Sequence, residues 1–432
     1  MSTFAVSTLG CKVNTYESQA YIQGLIDLKY EEVDFKEKAD IYLINTCAVT
    51  NTASSKSRQK IHQAHKLNPN ALIVVVGCYV QTSTQEVLAI EGVDLILGSD
   101  GKADLVQRIH EAYLSKKPMN LVHDLQSVYV FEALPIHQFY KHTRAFLKVQ
   151  DGCNQFCSYC IIPFARGRER SLPEDKVIEV AKELVANHHH EIVLSGIHTG
   201  RYGHDIGTHL VNLLHRLLNE VQGLKRVRIS SIEMNELSDE FIELMAKDER
   251  IARHLHIPIQ SGSESVLSAM NRPYTMSEFI HKIETIRQSI PTCSISSDII
   301  VGFPNESDED FNETLINLDK IEFSFMHVFP YSKRDGTKAA EMLGHINGVI
   351  KKERAKILNE KSKMGYNKYQ KTWLNKSVEV LVESYENGYL KGHTSEYLPV
   401  RVSGNQNLIG EIVTVNIEQI DHEYLIGSLK EE

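Results

Sequence analysis

Short apolar runs alternate with longer amphipathic stretches along the first hundred residues. Phe4–Leu9, Ile41–Ile44 and Ala71–Val76 read as strands, and Glu17–Leu28 and Ser54–Lys66 read as helices between them. This order predicts a parallel sheet with crossover helices. The periodicity weakens over residues 115–142, a connector whose boundary falls near Tyr140. Strand-like Ala145–Val149, Ile192–Leu194, Arg226–Ile229, His254–Ile259, Cys293–Ile300 and Phe323–Phe329 follow. They alternate with helical Pro173–Asn187, Leu210–Val221, Ser238–Met245, Ser277–Ile290 and Asp308–Leu318. Such a series predicts a partial or complete β/α barrel, whose working face lies at the carboxyl ends of its strands. Lys351–Lys371 reads as a charged helix leading out of it. The period then changes to two in Val378–Val382, Tyr397–Val402 and Glu411–Ile417, with turn signals at Asn387-Gly388 and Gly404-Asn405. Several short strands there predict a small antiparallel β-barrel. The expected fold class is α/β, with a parallel sheet domain at 1–115, a β/α barrel core at 139–369 and a β-barrel at 372–432.

Composition narrows the class. A chain of 432 residues exceeds what one core usually supports, which agrees with several domains. The longest apolar run, Ala71–Val80, is too short to span a bilayer. Leu9-Gly10-Cys11 has no basic or long apolar segment before it, so neither a signal peptide nor membrane attachment is expected. A cytoplasmic protein is. The net charge of −9 does not mark a nucleic-acid binder, and residues 371–432 carry five Lys/Arg against ten Asp/Glu. Any contact with nucleic acid must therefore come from local basic patches.

Seven cysteines, an odd number, favour metal ligation over disulfides in such a chain. Cys153, Cys157 and Cys160 lie within eight residues at C-x3-C-x2-C spacing. Three thiolates so close can hold three irons of a cubane [4Fe–4S] cluster and leave the fourth open to a small molecule. A zinc knuckle or disulfides are the alternatives, but zinc sites favour paired cysteines and no second pair is present. Cys11, Cys47 and Cys78 each follow a predicted strand. In a parallel sheet those strand ends share one edge, so the three thiols converge and suggest a second cluster. A buried apolar role for each is the alternative. Cys293 has no partner in the pattern and reads as a buried thiol.

The chain resembles the radical S-adenosylmethionine superfamily through Cys153, Cys157 and Cys160 on the first barrel loop. Within it, the methylthiotransferases add three N-terminal cysteines, as here. Thr8-Leu9-Gly10-Cys11-Lys12-Val13-Asn14-Thr15-Tyr16-Glu17-Ser18 is similar to the branch that modifies threonylcarbamoyladenosine in tRNA. Asn45-Thr46-Cys47-Ala48-Val49-Thr50, Ser195-Gly196-Ile197-His198-Thr199-Gly200 and Arg272-Pro273-Tyr274-Thr275 match the same branch. The resemblance implies two [4Fe–4S] clusters and S-adenosyl-L-methionine as cofactors. One cluster would cleave S-adenosylmethionine to a radical that takes hydrogen from adenine C2, and the other would supply sulfur. It further implies a tRNA anticodon stem-loop as substrate and a reducing electron donor such as flavodoxin; a monomer is expected. The tail resembles a TRAM domain, an RNA-binding module, in which Lys391 and Arg401 could form a basic face. Related enzymes acting on isopentenyladenosine or a ribosomal protein, and an iron–sulfur electron carrier, are the alternative readings.

Polar residues at strand ends are the candidates for the cofactor: Ser195, Gly196, Ser230, Glu233, Gln260, Ser261 and Asp298. Hydrogen bonding within the barrel mouth competes with that role for each. His254 and His256 alternate on one strand and read as barrel packing. Lys56 and Lys60, one helical turn apart, and Arg166, Arg168 and Arg170, at alternate positions after the cysteine loop, are candidate RNA phosphate contacts. The three arginines could also clamp the S-adenosylmethionine carboxylate. Met234 stands where the family pattern suggests proline, and Asn305 where it often has glycine.

Overall fold

In a computed structural model, residues 2–136, 139 and 143–430 are described. Tyr140, and with it the expected boundary, falls outside them. The first sheet contains β1 (Thr3–Thr8), β2 (Glu31–Glu32), β3 (Ile41–Thr46), β4 (Leu72–Gly77), β5 (Leu95–Leu97) and β6 (Met119–Asn120). Its order is β2-β1-β3-β4-β5-β6 and every pair is parallel. β3 and β4 are buried along their whole length, as strands covered on both faces must be. Tyr16, Ala20 and Leu25 of helix Lys12–Asp27 pack with Leu43 and Val74 on one face. Ile61 and Ala64 of helix Asn51–Leu67 pack with Tyr42 and Ile73 on the other.

The core of the first face runs on into the second unit. There, β7 (Arg144–Lys148) is followed by the short antiparallel pair β8 (Gln150–Asp151) and β9 (Arg170–Ser171). β10 (Glu191–Ser195), β11 (Arg226–Ile229), β12 (His254–His256), β13 (Ser294–Val301) and β14 (Phe325–Pro330) complete the set. β7-β10-β11 and β12-β13-β14 are parallel, and bridges Val227–Ile251 and Ser231–His256 join the two groups. The result is a six-stranded partial β/α barrel in sequence order. Helix Gly348–Lys371 packs on β14 and leads out of it.

The tail forms a closed barrel of β15 (Ser377–Glu386), β16 (Tyr389–Thr394), β17 (Pro399–Ser403), β18 (Ile412–Asp421) and β19 (Tyr424–Leu429). Register shifts at Val382/Ser384 and Ile417/Gln419 bend the two long strands so that the sheet can close. This barrel sits against the amino ends of the β/α strands. Arg226 and Arg228 share the buried carboxylate of Glu191, and Arg228 also donates to the carbonyls of Thr394 and Ser395. Among the described residues no helix is long and apolar enough to cross a membrane.

Both departures from the family pattern have a local explanation. Asn305 adopts φ +63°, a left-handed conformation that asparagine tolerates nearly as glycine does. Met234 opens the short helix Met234–Glu236, where proline would preset φ; reciprocal bonds of Glu233 and Glu236 cap that turn instead.

Candidate active site

The strands β8 and β9 bracket the first cysteine loop like a clasp. Gly152 enters it at φ +73°, and Cys153 N–H donates to the Gly167 carbonyl at 3.1 Å. Phe156 turns the chain at φ +49°, an uncommon conformation for an aromatic residue. It is held there by Asn271, whose amide donates to its carbonyl at 3.2 Å. N–H groups converge on the sulfurs: Gln155 N–H lies 3.4 Å from Cys153 Sγ, and Arg272 Nη1 lies 3.5 Å from Cys157 Sγ. His198 Nδ1 lies 3.4 Å from Cys153 Sγ, with its Nε2 2.6 Å from Glu236 Oε1. Burial pushes the Cys157 thiol up and the Cys160 thiol to about 12.

The N-terminal cysteines meet as the strand ends require. Cys11 caps helix Lys12–Asp27, Cys47 follows β3, and Cys78 opens a short helix after β4. Gly10 approaches Cys47 so closely that a Cβ would lie 2.9 Å from the Cys47 Cβ. Asn14 ties the strand ends together by donating to the carbonyls of Leu9 and Thr46 at 2.7 and 3.0 Å. Burial, then the neighbouring Cys78, pushes the Cys47 thiol up to about 11, and burial raises Cys78 as well.

Arg166 and Arg170 correct the sequence-based expectation of RNA or S-adenosylmethionine carboxylate contacts. Both are buried. Arg166 Nε donates to Cys78 Sγ at 3.0 Å, and its Nη1 pairs with Glu17 at 2.6 Å. Arg170 Nη1 donates to the carbonyls of Arg166 and Arg168, and its Nη2 lies 3.5 Å from Asp151. Lys102 and Lys148 complete a buried ion cluster around Glu17 and Asp151. Burial alone would raise the Glu17 carboxyl, but Arg166, Lys102 and Lys148 outweigh it and hold the group well below its ordinary range. Sequence alternation suggested an exposed run because the acids that bury it are distant in the chain. Arg168 is exposed, beside the ring of Tyr129. Lys56 is exposed, whereas Lys60 is half-buried over Phe35 and bonded to Gln63.

Two cavities each take one cysteine into their walls, Cys160 in the smaller and Cys11 in the larger. The smaller, of about 210 Å³, is lined by Val49 and Thr50 from the N-terminal unit and by Cys160, Gln260 and Asp298. The larger, of about 1120 Å³, runs from Cys11 and Lys12 past Ser230, His256 and Asp298 of the β/α strands to Lys391 and Tyr397 of the tail barrel. Asp298 and Phe329 border both. Gln260 is held at φ +67° by backbone bonds to both sides of Ile299, from its own N–H to Asp298 O and from Ile300 N–H to its carbonyl. Such strain in a bulky residue concentrates at functional sites.

The remaining strand-end candidates are placed differently. The Ser195 hydroxyl turns back to the Val193 carbonyl at 3.3 Å. A Cβ on Gly196 would lie 3.0 Å from Gln150, so that position keeps the chain close to the cysteine loop's entry. Ser230 bonds Thr199 at 2.8 Å, Ser261 accepts from Ser263 N–H, and Glu233 forms an ion pair with Arg272. His254 and His256 both bond Ser296 and border the large cavity, so they face an open lumen instead of packed core. Cys293 is a buried free thiol, as expected, pushed up to about 12 by burial. Sequence reasoning assigned no role to His198, Arg272 or Lys12, although all three stand in the motifs that marked the site.

These residues suit iron–sulfur ligation. All seven cysteines are free. Cys11 is exposed, but burial disfavours bare thiolates at Cys47, Cys78, Cys157 and Cys160, and N–H donors aimed at Cys78, Cys153 and Cys157 prepare acceptors for a group that takes thiolate ligands. The surroundings of both triads meet that test.

Comparison with known proteins agrees with the site. Residues 3–98 match the uncharacterized protein family UPF0004, and residues 147–317 match the radical SAM superfamily. The chain is 43% identical to the threonylcarbamoyladenosine tRNA methylthiotransferase MtaB of Bacillus subtilis, covering 99% of this chain and 96% of that one. It is 35% identical to the tRNA-2-methylthio-N(6)-dimethylallyladenosine synthase of Geobacillus kaustophilus, covering 99% and 82%. Among solved structures, the radical S-adenosylmethionine methyltransferase TsrM of Kitasatospora setae shares the fold. Its TM-score is 0.59 at 15% identity, covering 79% of this chain and 77% of that chain.

Proposed function

The chain belongs to the tRNA methylthiotransferase family of radical S-adenosylmethionine enzymes, and from that footing we propose the following reading of its site. The protein is a tRNA methylthiotransferase that converts N6-threonylcarbamoyladenosine next to the anticodon to its 2-methylthio derivative. Its cofactors are two [4Fe–4S] clusters and S-adenosyl-L-methionine. When bound, these groups supply the one-electron chemistry that opens the adenine C2–H bond and the sulfur that enters there.

The chain's own residues bind and orient. Cys153, Cys157 and Cys160 hold the cluster that engages S-adenosylmethionine, and Cys11, Cys47 and Cys78 hold the second. What carries this reading is that one cysteine of each triad, Cys160 and Cys11, lines one of two cavities that share Asp298 and Phe329 as walls. Gln260, Asp298 and Ser230 line that space and contact S-adenosylmethionine or the base. Ser195, Gly196 and Ser261 shape the surrounding backbone, and Glu233 positions Arg272 against Cys157. Arg272 and His198 orient the cluster-bearing sulfurs by hydrogen bonding. Lys56 and Arg168, both exposed, contact tRNA phosphate, with Lys60 a weaker partner on the same helix. The three units span 1–115, 139–369 and 372–432, and the last is an RNA-binding TRAM module. The enzyme works as a cytoplasmic monomer with a reducing donor such as flavodoxin.

Mass spectrometry of tRNA nucleosides from cells lacking the protein tests the substrate. Disappearance of 2-methylthio-threonylcarbamoyladenosine supports the reading. Its persistence, or loss of a 2-methylthio-dimethylallyl nucleoside instead, overturns it.

A further inference from the structure

Helix Lys12–Asp27 begins at the auxiliary cysteine and sends its first side chain towards the barrel. Lys12 borders the large cavity beside Gly10 and Cys11. Lys12 lines this cavity together with His254 of β12 and His327 of β14. The cations near it are already compensated: Arg228 by Glu191 at 2.8 Å, and Arg144 by Glu383 at 3.0 Å. Lys12 has no hydrogen-bond or ion-pair partner among the described residues. The rest of the lining mixes the hydroxyls of Ser230, Ser231 and Ser296 with the carboxylates of Asp298, Glu383 and Glu396, none of which forms an ion pair with Lys12.

Lys12 is half-buried and no carboxylate of the described residues pairs with it, so a ligand that brings an anion gains by meeting its ammonium. The two substrate bases of the relatives differ in this respect. A threonylcarbamoyl group carries a free carboxylate and a hydroxyl, whereas a dimethylallyl group is uncharged hydrocarbon. Resting on the function proposed above, we propose that Lys12 is a specificity-determining residue that pairs with the carboxylate of the threonylcarbamoyl group in the larger cavity. The same cation disfavours a dimethylallyl base, because that substituent would cover the ammonium without satisfying it. Sites built around a polar partner reject analogues lacking it more strongly than apolar pockets reject small changes in shape.

The test is a binding cycle on the fully reconstituted protein. The probes are two anticodon stem-loop RNAs, one with threonylcarbamoyladenosine and one whose threonine carboxylate is a neutral methylamide. Lys12→Met should weaken the carboxylate RNA by about tenfold to a hundredfold, the range of a charge-assisted hydrogen bond. It should leave the methylamide RNA nearly unchanged, and Lys12→Arg should recover most of the lost affinity. An equal loss on both RNAs would mean a structural or phosphate-binding role and overturn the proposal, as would no loss on either. Iron content and thermal stability, measured on each variant, identify misfolding; if Lys12→Met fails there, Lys12→Gln takes its place in the cycle. Failure of the wild-type holoenzyme to methylthiolate the carboxylate RNA would count against the function proposed above, while the binding cycle still decides the role of Lys12.

Discussion

Arg166 Nε donates to Cys78 Sγ across 3.0 Å, so a side chain from the barrel's cysteine loop ends on a thiol of the N-terminal sheet. The same guanidinium holds Asn14 and Glu17, which fix the helix that starts at Cys11. One buried fork thus sets the spacing between the two cysteine triads. Removing it takes the hydrogen bonds from Asn14, Glu17 and Cys78, while Lys102 and Lys148 still compensate Glu17, and a hydrogen bond to a charged group contributes about 1.5–3 kcal/mol. Arg166→Ala should therefore lower stability by roughly that amount, read by urea denaturation. Arg166→Lys keeps the charge but loses the planar fork. It should stay folded and keep 5′-deoxyadenosine production while methylthiolation falls, a split measured in parallel assays.

Glu191 gives the acid limit of the barrel. It is buried between Arg226 and Arg228, and although burial opposes its charge, Arg228 and then Arg226 outweigh this and hold its carboxyl at about 2. A folded pKa below the ordinary value of about 4.3 adds stability that is fully present above that value. The contribution disappears as the pH falls towards 2 and amounts to about 3 kcal/mol in all. Glu191→Gln should be less stable at neutral pH and should show a flatter loss between pH 5 and 3, measured by thermal melts. Parallel melting curves for the two proteins across that range would contradict this.

Much of the site was legible because its chemistry is local. Cys153, Cys157 and Cys160 share one loop, and Cys11, Cys47 and Cys78 recur at strand ends, where parallel topology alone brings them together. The burial of Arg166 and Arg170 was not legible, since Glu17 lies 149 residues from Arg166. A basic run looks the same on a surface loop and around a buried carboxylate. Helix Lys12–Asp27 began earlier than its apolar spacing suggested, because Val13 is the one apolar residue of its first turn, Lys-Val-Asn-Thr. That shift hid Lys12. In the tail, β16 and β19 escaped notice because Gly392 and Gly427 interrupt their alternation. Both glycines sit where a Cβ would lie 1.9 Å from a neighbouring backbone carbonyl.

The tail barrel should bind RNA by stacking more than by charge. The two residues expected to form its basic face are paired internally, Lys391 with Glu386 and Arg401 with Asp421. Arg401 also lies between the rings of Tyr389 and Tyr424, and Tyr389 is exposed. Stacking on one base contributes roughly 1–3 kcal/mol. Tyr389→Ala should weaken tRNA binding by that amount without changing its salt dependence. Lys56→Ala or Arg168→Ala should instead lower the slope of log affinity against log salt by about one each. Titrations at several salt concentrations separate the two, and a steeper salt effect for Tyr389 than for Lys56 would reverse the assignment.

Gly152 sets the entry to the first cysteine loop and offers a sharp control. It sits at φ +73°, and a Cβ there would lie 1.8 Å from the Arg168 carbonyl oxygen. The obstacle is backbone held by the β8–β9 pair, so it cannot turn aside as a flexible side chain would. Gly207 has a similar φ of +77° but open space around it. A left-handed alanine alone costs about 1–2 kcal/mol, so Gly207→Ala should show only that loss and keep full iron content. Gly152→Ala must also displace the strand pair that positions Cys153. Its iron content after reconstitution should fall to that of a protein lacking Cys153, Cys157 and Cys160, with circular dichroism near wild type. Full iron in Gly152→Ala would show that the loop loads its metal without the clasp.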